Sequence, residues 1–189
     1  LGCARSSVSQ GGFALLFDES ASFSAPTAFG TYRVLHQTGT GALGPVFRAF
    51  DPRQDRLVAV KAFKLDLLPE QVARFADALR RLVDGSDCHP SLVPVIDAGI
   101  EGATPFVVTP CQSGETLDVV MRRLPPLSVA DALTYLIPVA EAIDAAVVAG
   151  IDHGALHPRD IFIAAAGPAV PGSIHVTGFG VARALASVN

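Results

Sequence analysis

Three glycines, Gly39, Gly41 and Gly44, stand in a G-x-G-x-x-G-x-V frame between two strand-like segments. Glycines at this spacing let a hairpin backbone approach a phosphate, because no Cβ stands between the chain and the ligand. An ordinary glycine-rich turn is the alternative. A dinucleotide-binding fold would need a helix directly after the glycines. A second strand follows here, which disfavours a dinucleotide fold.

A lysine, Lys61, ends the next apolar segment, "VAVK". A lysine at the end of a buried strand can place a fixed positive charge against phosphate oxygens. In isolation it would be an ordinary strand-end lysine whose amine reaches solvent. Because it follows the glycine frame, the two features together predict a phosphate-binding cleft.

A second polar cluster, "HGALHPRD" at 153–160, holds His153, His157 and Asp160. The two histidines are four residues apart, but Pro158 breaks the segment, so the zinc-binding helix pattern does not apply. The three cysteines of the chain are far apart and odd in number, which favours free thiols in a reducing compartment. For Cys111 a plain thiol and a reactive one both stay open.

The elements that must position these residues follow from hydrophobic patterning. Five segments have the composition of strands, at 31–39, 45–51, 56–63, 91–100 and 104–110. A helix is predicted after Pro69, a short helix at 115–123, a long helix from Ser128 to Gly150 with a kink at Pro138, and a final hairpin from "DIFIAA" and "SIHVTGF". The order predicts an α+β fold. The predicted apolar stripe of the long helix consists of Leu133, Leu136, Ile137, Ala140, Ile143 and Val147.

From about Phe29 to Leu185 the sequence resembles the eukaryotic-like Ser/Thr protein kinase family. The landmarks occur in that family's order: the glycine frame, "VAVK", a helix, "HPSLVPVIDAG", "FVVTPCQSGETL", a long helix, and the segments "HGALHPRD" and "GFG". The resemblance implies a kinase-like fold with a small lobe of antiparallel sheet plus one helix, then an incomplete, mainly helical larger lobe. We divide the chain into a tail or linker at 1–28, a small lobe and hinge at 29–112, and a partial larger lobe at 113–189.

The resemblance also implies a nucleotide site. Val46 and Ala59 would line an adenine pocket, Thr109 would be the gatekeeper, and Pro110 to Gln112 the hinge. The hinge would offer the Pro110 carbonyl to the adenine amino group and the Gln112 backbone N–H to the ring. The candidate nucleotide-binding residues are therefore Gly39, Gly41, Gly44, Val46, Ala59, Lys61, Thr109, Pro110 and Gln112, and the expected cofactor is ATP bound weakly, without magnesium.

By the same resemblance, the chemical positions have lost their acids. Ala155 stands where the family has the aspartate that accepts the substrate proton, and Gly154 replaces the preceding arginine. Gly178 stands where an aspartate should chelate magnesium, so Asp160 is the single, weak metal candidate. His153 would be structural. No catalytic residue is intact.

The usual partner of the lysine would be a glutamate on the first helix, and Ala78 aligns to that place. Asp77 or Glu70 would replace it if the helix were rotated. The alternative is that both are solvated helix charges.

Three functions remain open from the sequence. The first is a pseudokinase, a regulatory or protein-binding module without phosphoryl transfer. The second is an active atypical Ser/Thr kinase, in which Asp160, Asp152 or a substrate group replaces the lost carboxylates. The third is a structural domain whose cleft is closed by Phe13, Phe17 or the glycine loop.

Composition limits the partners. The 189 residues are 50% hydrophobic and 17% charged with a net charge of -4, which is typical of a globular chain without a basic patch for nucleic acid. No apolar run reaches the roughly 20 residues of a membrane span, so we expect a cytoplasmic protein. The stripe of the helix at 128–149 needs a cover, either a protein partner or the remainder of a longer chain.

Overall fold

The computed structural model describes residues 26–41, 43–85, 89–123, 127–164 and 173–188. Most of the predicted tail, including Phe13 and Phe17, lies outside these residues, as do Cys3 and Cys88. The first strand already contains Ala28, so the folded body begins inside the segment predicted as tail.

A six-stranded antiparallel sheet forms the small lobe, in the order β1-β2-β3-β4-β6-β5. Its strands are β1 Ala28–Phe29, β2 Tyr32–Gly41, β3 Gly44–Asp51, β4 Arg56–Ala62, β5 Asp97–Glu101 and β6 Thr104–Pro110. Burial alternates along β3, so that Phe47 and Ala49 face the core together with Val58 and Val60 of β4. This period of two is the signature of a sheet with one covered face.

One helix, α1 Pro69–Arg80, covers the sheet. Proline suits the first helical turn, where its missing N–H costs nothing. Phe75 and Leu79 are fully buried, and the Phe75 ring meets Phe63 edge-on with centroids 5.2 Å apart. Each such side chain contributes about 1.5–3 kcal/mol by leaving water. Packing against the sheet therefore fixes which face of α1 points inward.

The larger lobe has two helices over a small sheet. The helices are α2 Leu117–Arg123 and α3 Val129–Val148, and the sheet order is β7-β8-β9 with β7 Glu115–Thr116, β8 Ile161–Ile163 and β9 Ile174–Val176. A 3-10 turn, Pro158–Asp160, precedes β8, and a short helix, α4 Val181–Ala186, follows β9. The two lobes are joined where Leu92 pairs with Val176, with Val176 N donating to Ser91 O at 2.7 Å.

Helix α3 has two apolar faces. Val139, Ala142 and Ala146 are buried against the small sheet, whereas most of the predicted stripe is exposed. The large apolar side chains exposed on α3 are Val129, Leu133, Leu136, Ile137, Val147 and Val148, with Val148 90% exposed. The predicted stripe is therefore mostly exposed within the described residues, and the face that forms the core was not identified from the sequence. The helix continues through Pro138.

The α+β class, the antiparallel small lobe with one helix and the final hairpin are confirmed. Three details differ. β5 begins only at Asp97, Glu115 and Thr116 form a strand and not the start of a helix, and α4 was not predicted. Among the described residues, no helix has the length and apolar character needed to cross a bilayer.

Candidate functional site

The glycine frame is the tip of the β2–β3 hairpin. Gly39 pairs with Val46, and Gly41 pairs with Gly44 where the chain reverses. Gly44 has φ +144°, and a Cβ there would lie 2.1 Å from the carbonyl oxygen of Ala62. No other residue fits this position without moving backbone. The hairpin tip is therefore held closely against the end of β4.

Lys61 lies directly beneath this tip. It pairs with Val46 across β3 and β4, and a Cβ built on Gly41 would be 3.7 Å from the lysine Nζ. Burial lowers the pKa of Lys61, and the negative charge of Asp160 opposes that shift. The Lys61 amine is thus partly removed from solvent, and the hairpin tip above it contains three glycines, which have no side chains.

In the part of the chain that the structure describes, no carboxylate lies within 4 Å of the Lys61 amine. Asp77 is exposed and pairs with Arg80 one turn further along α1, and Glu70 is exposed at the start of the helix. Ala78 packs against an apolar cluster between α1, the sheet and α4. The interpretation of Asp77 and Glu70 as solvated helix charges is the one the structure favours.

The hinge follows β6. Ala59 pairs with Thr109, and Val58 pairs with Pro110, so the predicted gatekeeper and the first residue of the predicted hinge both lie beside the strand that carries Lys61. The side-chain amide of Gln112 donates to the Pro110 carbonyl oxygen at 3.2 Å. That oxygen is the acceptor expected for an adenine amino group, so a ligand there must displace or share this hydrogen bond. Cys111 between them is a free, half-buried thiol.

His153 holds the two loops of the larger lobe together. Its Nε2–H donates to the Thr177 carbonyl oxygen at 2.9 Å, which places the ring proton on that nitrogen. Its ring meets Phe179 edge-on with centroids 5.0 Å apart. Its buried Nδ1 has no hydrogen-bond partner among the described residues. Two residues further on, Ala155 presents only an exposed methyl group.

Asp160 lies beside Gly178 in this arrangement. Its Oδ2 accepts a hydrogen bond from His157 N at 3.0 Å and lies 3.9 Å from His153 Nε2. Gly178 has φ +91°, and a Cβ there would lie 3.9 Å from Asp160 Oδ1 and 3.3 Å from His153 Nε2. A Cβ at Gly178 would therefore contact both His153 and Asp160.

These residues do not fit a magnesium ion. One carboxylate stands in the site, one of its oxygens is already hydrogen-bonded, and Gly178 adds no ligand. In protein kinases the magnesium ions are held by an aspartate of the metal loop and an asparagine of the catalytic loop, and of these two positions only the second, Asp160, has a side chain here that could bind a metal. No group of three histidine, cysteine or acidic side chains in the described ranges is arranged to hold a metal ion.

The family model for protein tyrosine and serine/threonine kinases matches residues 32–189. The chain belongs to this kinase family. Its curated relatives include the serine/threonine-protein kinase PknA of Mycobacterium tuberculosis, 33% identical over 84% of this chain and 37% of PknA. Another is PknK of the same species, 32% identical over 79% of this chain and 13% of PknK. The chain thus spans well under half the length of these relatives.

Solved structures agree on the fold. The kinase domain of Mycobacterium tuberculosis PknI, solved as a double mutant, superposes with a TM-score of 0.68. The sequence identity is 22%, and the match covers 82% of this chain and 60% of that domain. This chain therefore corresponds to part of a kinase domain.

Three features of the site had no clear signal in the sequence. They are helix α4 against α1, the Gln112 side chain on the hinge carbonyl, and the position of Asp118. The Asp118 carboxylate accepts from Thr116 Oγ1 at 2.5 Å and pairs with Arg122 and Arg159. The pairing of Asp118 with Arg122 is an i, i+4 spacing that the sequence does contain, whereas the contact with Arg159 depends on the tertiary fold.

Proposed function

We propose that this kinase domain is a pseudokinase, a regulatory or protein-binding module that does not transfer phosphate. The observation that carries the proposal is the pair of missing acids. The Ala155 methyl cannot accept the proton of a substrate hydroxyl, and Gly178 cannot chelate a metal beside Asp160.

The surroundings of Lys61 support the same proposal. Phosphoryl transfer by protein kinases needs an ion pair between this lysine and a glutamate of the helix. Here α1 presents Ala78 to an apolar cluster that includes Val181 and Ala184 of α4. The side-chain amide of Gln71 on α1 also donates to Val188 O at 2.9 Å. Apolar packing and one hydrogen bond join α1 to the segment after Gly180, and no charge of α1 reaches Lys61.

We further propose weak nucleotide binding without magnesium. Gly39, Gly41, Gly44 and Lys61 would hold phosphate oxygens. Val46, Ala59, the gatekeeper Thr109 and the hinge from Pro110 to Gln112 would hold the base. The hydrogen bond from Gln112 to the Pro110 carbonyl would compete with adenine for that oxygen and so weaken nucleotide binding.

An active Ser/Thr kinase is the second candidate, because the curated relatives named above are serine/threonine-protein kinases. It would need Asp160 or Asp152 as the replacement acid. Asp152 is exposed, and its backbone carbonyl accepts from Gly180 N at 2.7 Å.

A phosphoryl-transfer assay separates the two candidates. The full chain is incubated with radiolabelled ATP, magnesium or manganese, and a general protein substrate, beside a Lys61→Ala variant. We expect equal, background incorporation from both proteins. Incorporation that depends on Lys61 would overturn the pseudokinase proposal, and its loss in Asp160→Asn or Asp152→Asn would identify the replacement acid.

Thermal unfolding with ATP tests nucleotide binding. We expect a small rise in Tm with ATP that magnesium does not increase, and no rise in Lys61→Ala. A Gly178→Asp variant places a carboxylate beside Asp160, and its Tm with ATP should then rise on adding magnesium. Gly178→Asn is the matched control, since it has the same shape without the charge. A magnesium-dependent rise in the wild-type chain would contradict the proposed loss of the metal site.

We also propose that the exposed stripe of α3 is covered by protein, either the remainder of a longer chain or a partner, and that the protein is cytoplasmic. Two observations support a protein cover for this stripe: the chain matches only 60% of a solved kinase domain, and Leu136 and Ile137 are exposed.

A further inference from the structure

A shallow cavity of about 410 Å³, open to solvent, lies beside the degenerate catalytic loop, outside the nucleotide cleft. It is lined by Asp118, Met121 and Arg122 of α2 and by His157, Pro158 and Arg159 of the loop. Two structural elements from distant parts of the chain therefore form its walls, and the larger-lobe fold holds both elements.

The charges of the lining do not balance. Asp118 is its one acid, with a side chain 17% exposed, and Arg122 and Arg159 are two cations, 66% and 57% exposed. Both arginines contact the same carboxylate oxygen, Oδ2, while Thr116 donates to the other oxygen. One acid thus serves two guanidinium groups, and the lining keeps a net positive charge even with His157 neutral.

The guanidinium groups retain hydrogen-bonding capacity. Arg159 reaches Asp118 through Nε at 3.6 Å, which is longer than a hydrogen bond. Arg122 reaches it through Nη1 at 3.1 Å. Neither arginine has another acidic partner in the described ranges. Two planar guanidinium groups around one point offer the forked donors that bind phosphate oxygens.

The lining also has an apolar side. Met121, which is 56% exposed, lines the cavity together with Pro158. A free phosphate ion would leave this surface unused. A peptide could place a phosphate ester between the arginines and a neighbouring apolar side chain on Met121.

We propose that this cavity binds a phosphorylated peptide segment, with Arg122 and Arg159 as the phosphate-binding residues. A phosphate ester carries close to two negative charges and three acceptor oxygens at neutral pH, so it matches the excess charge and the free donors better than a single carboxylate does. The site does not depend on nucleotide or on phosphoryl transfer, so its test is separate from that of the pseudokinase proposal.

The experiment measures binding of fluorescein-labelled peptides to the full chain by fluorescence anisotropy, without nucleotide or metal. Three peptides share one sequence, with a leucine next to the central residue, and differ only in phosphoserine, serine or glutamate at the centre. We expect the phosphoserine peptide to bind at least about tenfold tighter than either of the others, and more weakly as salt increases.

Single variants locate the site. Arg122→Gln and Arg159→Gln should each weaken the phosphopeptide about tenfold or more. Arg123→Gln is the matched control and should change binding less than twofold. Arg123 lies on the same helix, is 63% exposed and already pairs with Glu115 outside the cavity. The Tm of each variant confirms that it is folded, and Arg122→Gln suffices if Arg159→Gln does not fold.

Inorganic phosphate and a peptide without the leucine distinguish the source of the phosphate. Competition by inorganic phosphate as strong as by the phosphopeptide would show a small-ion site and overturn the peptide assignment. Equal binding of the serine and phosphoserine peptides would overturn the phosphate assignment. Wild-type affinity in both arginine variants would overturn the location.

Discussion

The small lobe and the larger lobe keep different parts of a kinase site. In the small lobe, Gly44 and Lys61, two of the proposed phosphate-binding residues, are held by neighbouring strands of one sheet. In the larger lobe, the contacts of His153 with Thr177 and Phe179 hold the loop at 153–160 against the loop at 177–180. By the family pattern each loop would present an acid, but the residues at those positions are Ala155 and Gly178.

The difference teaches that scaffold and chemistry are separable in the larger lobe. The hydrogen bond from His153 to Thr177 involves no acid at 155 or 178, so it forms with Ala155 and Gly178 in those places. In the small lobe the same residues serve both purposes. The hairpin that Gly44 closes against the Ala62 carbonyl also places Gly41 beside Lys61, so the sheet's own stability holds the proposed phosphate-binding residues together.

The largest expected effect breaks the small lobe at its hairpin. Gly44→Ala should destabilise the chain by roughly 3 kcal/mol or more, because its Cβ would collide with the Ala62 carbonyl at a φ that favours glycine. Gly39→Ala is the matched control, since a Cβ there meets nothing within 4 Å, and should change stability by less than about 0.5 kcal/mol. Urea unfolding measures both. Equal losses would show that the hairpin tip is not held as the structure has it.

The second-largest effect concerns the packing of helix α4 against α1. Ala184 is 4% exposed between α1 and the sheet, so Ala184→Asp would bury a charge and release α4, at a cost of about 3 kcal/mol or more to that local structure. Hydrogen exchange should become faster in 181–188 and in α1. Ala186→Asp, on the exposed side of the same helix, should leave exchange unchanged. Unchanged exchange in Ala184→Asp would show that α4 does not brace α1.

A smaller effect concerns Lys61. Burial lowers the pKa of its amine in the folded chain, so the folded state resists protonation more than the unfolded state does. Stability from this group therefore rises with pH from the lowered pKa up to the unfolded value of about 10.4. We expect Lys61→Met to unfold at a higher temperature than wild type near pH 7, with the gap narrowing toward pH 10. A constant gap would contradict the burial of a charged amine.

The smallest effect concerns Asp118. The hydrogen bond from Thr116 is the main cause that lowers the pKa of this carboxyl, with Arg122 and Arg159 adding to it. The stability that this carboxylate contributes is therefore fully present when the pH is above its ordinary pKa of about 3.9, and it is lost as the pH falls through the lowered pKa. Asp118→Asn should cost about 1 kcal/mol or less near pH 7.

In thermal scans the difference between Asp118→Asn and wild type should shrink below pH 4. Glu115→Gln is the control, because it removes the exposed ion pair between Glu115 and Arg123. If the Asp118 difference persisted at low pH, the contribution would come from packing and not from charge.

Much of the fold follows from local patterns. The alternation in β3 and β4, the proline at the start of α1 and the serine cap of α3 each reflect interactions within a few residues, and the predicted elements are found there. The core face of α3 does not follow in this way. Leu133 and Leu136 are as apolar as Val139, so periodicity alone cannot distinguish the covered face from the exposed one.

The sequence by itself determined which chemical groups stand in the site: a lysine and three glycines are present, and two acids are absent, because a residue's chemistry belongs to its side chain. Only the tertiary structure decided what those groups meet. The Gln112 amide on Pro110, α4 on Ala78, and Arg159 on Asp118 all join residues whose approach depends on how separate elements pack. Packing free energy is summed over the whole core, so no short segment determines such contacts.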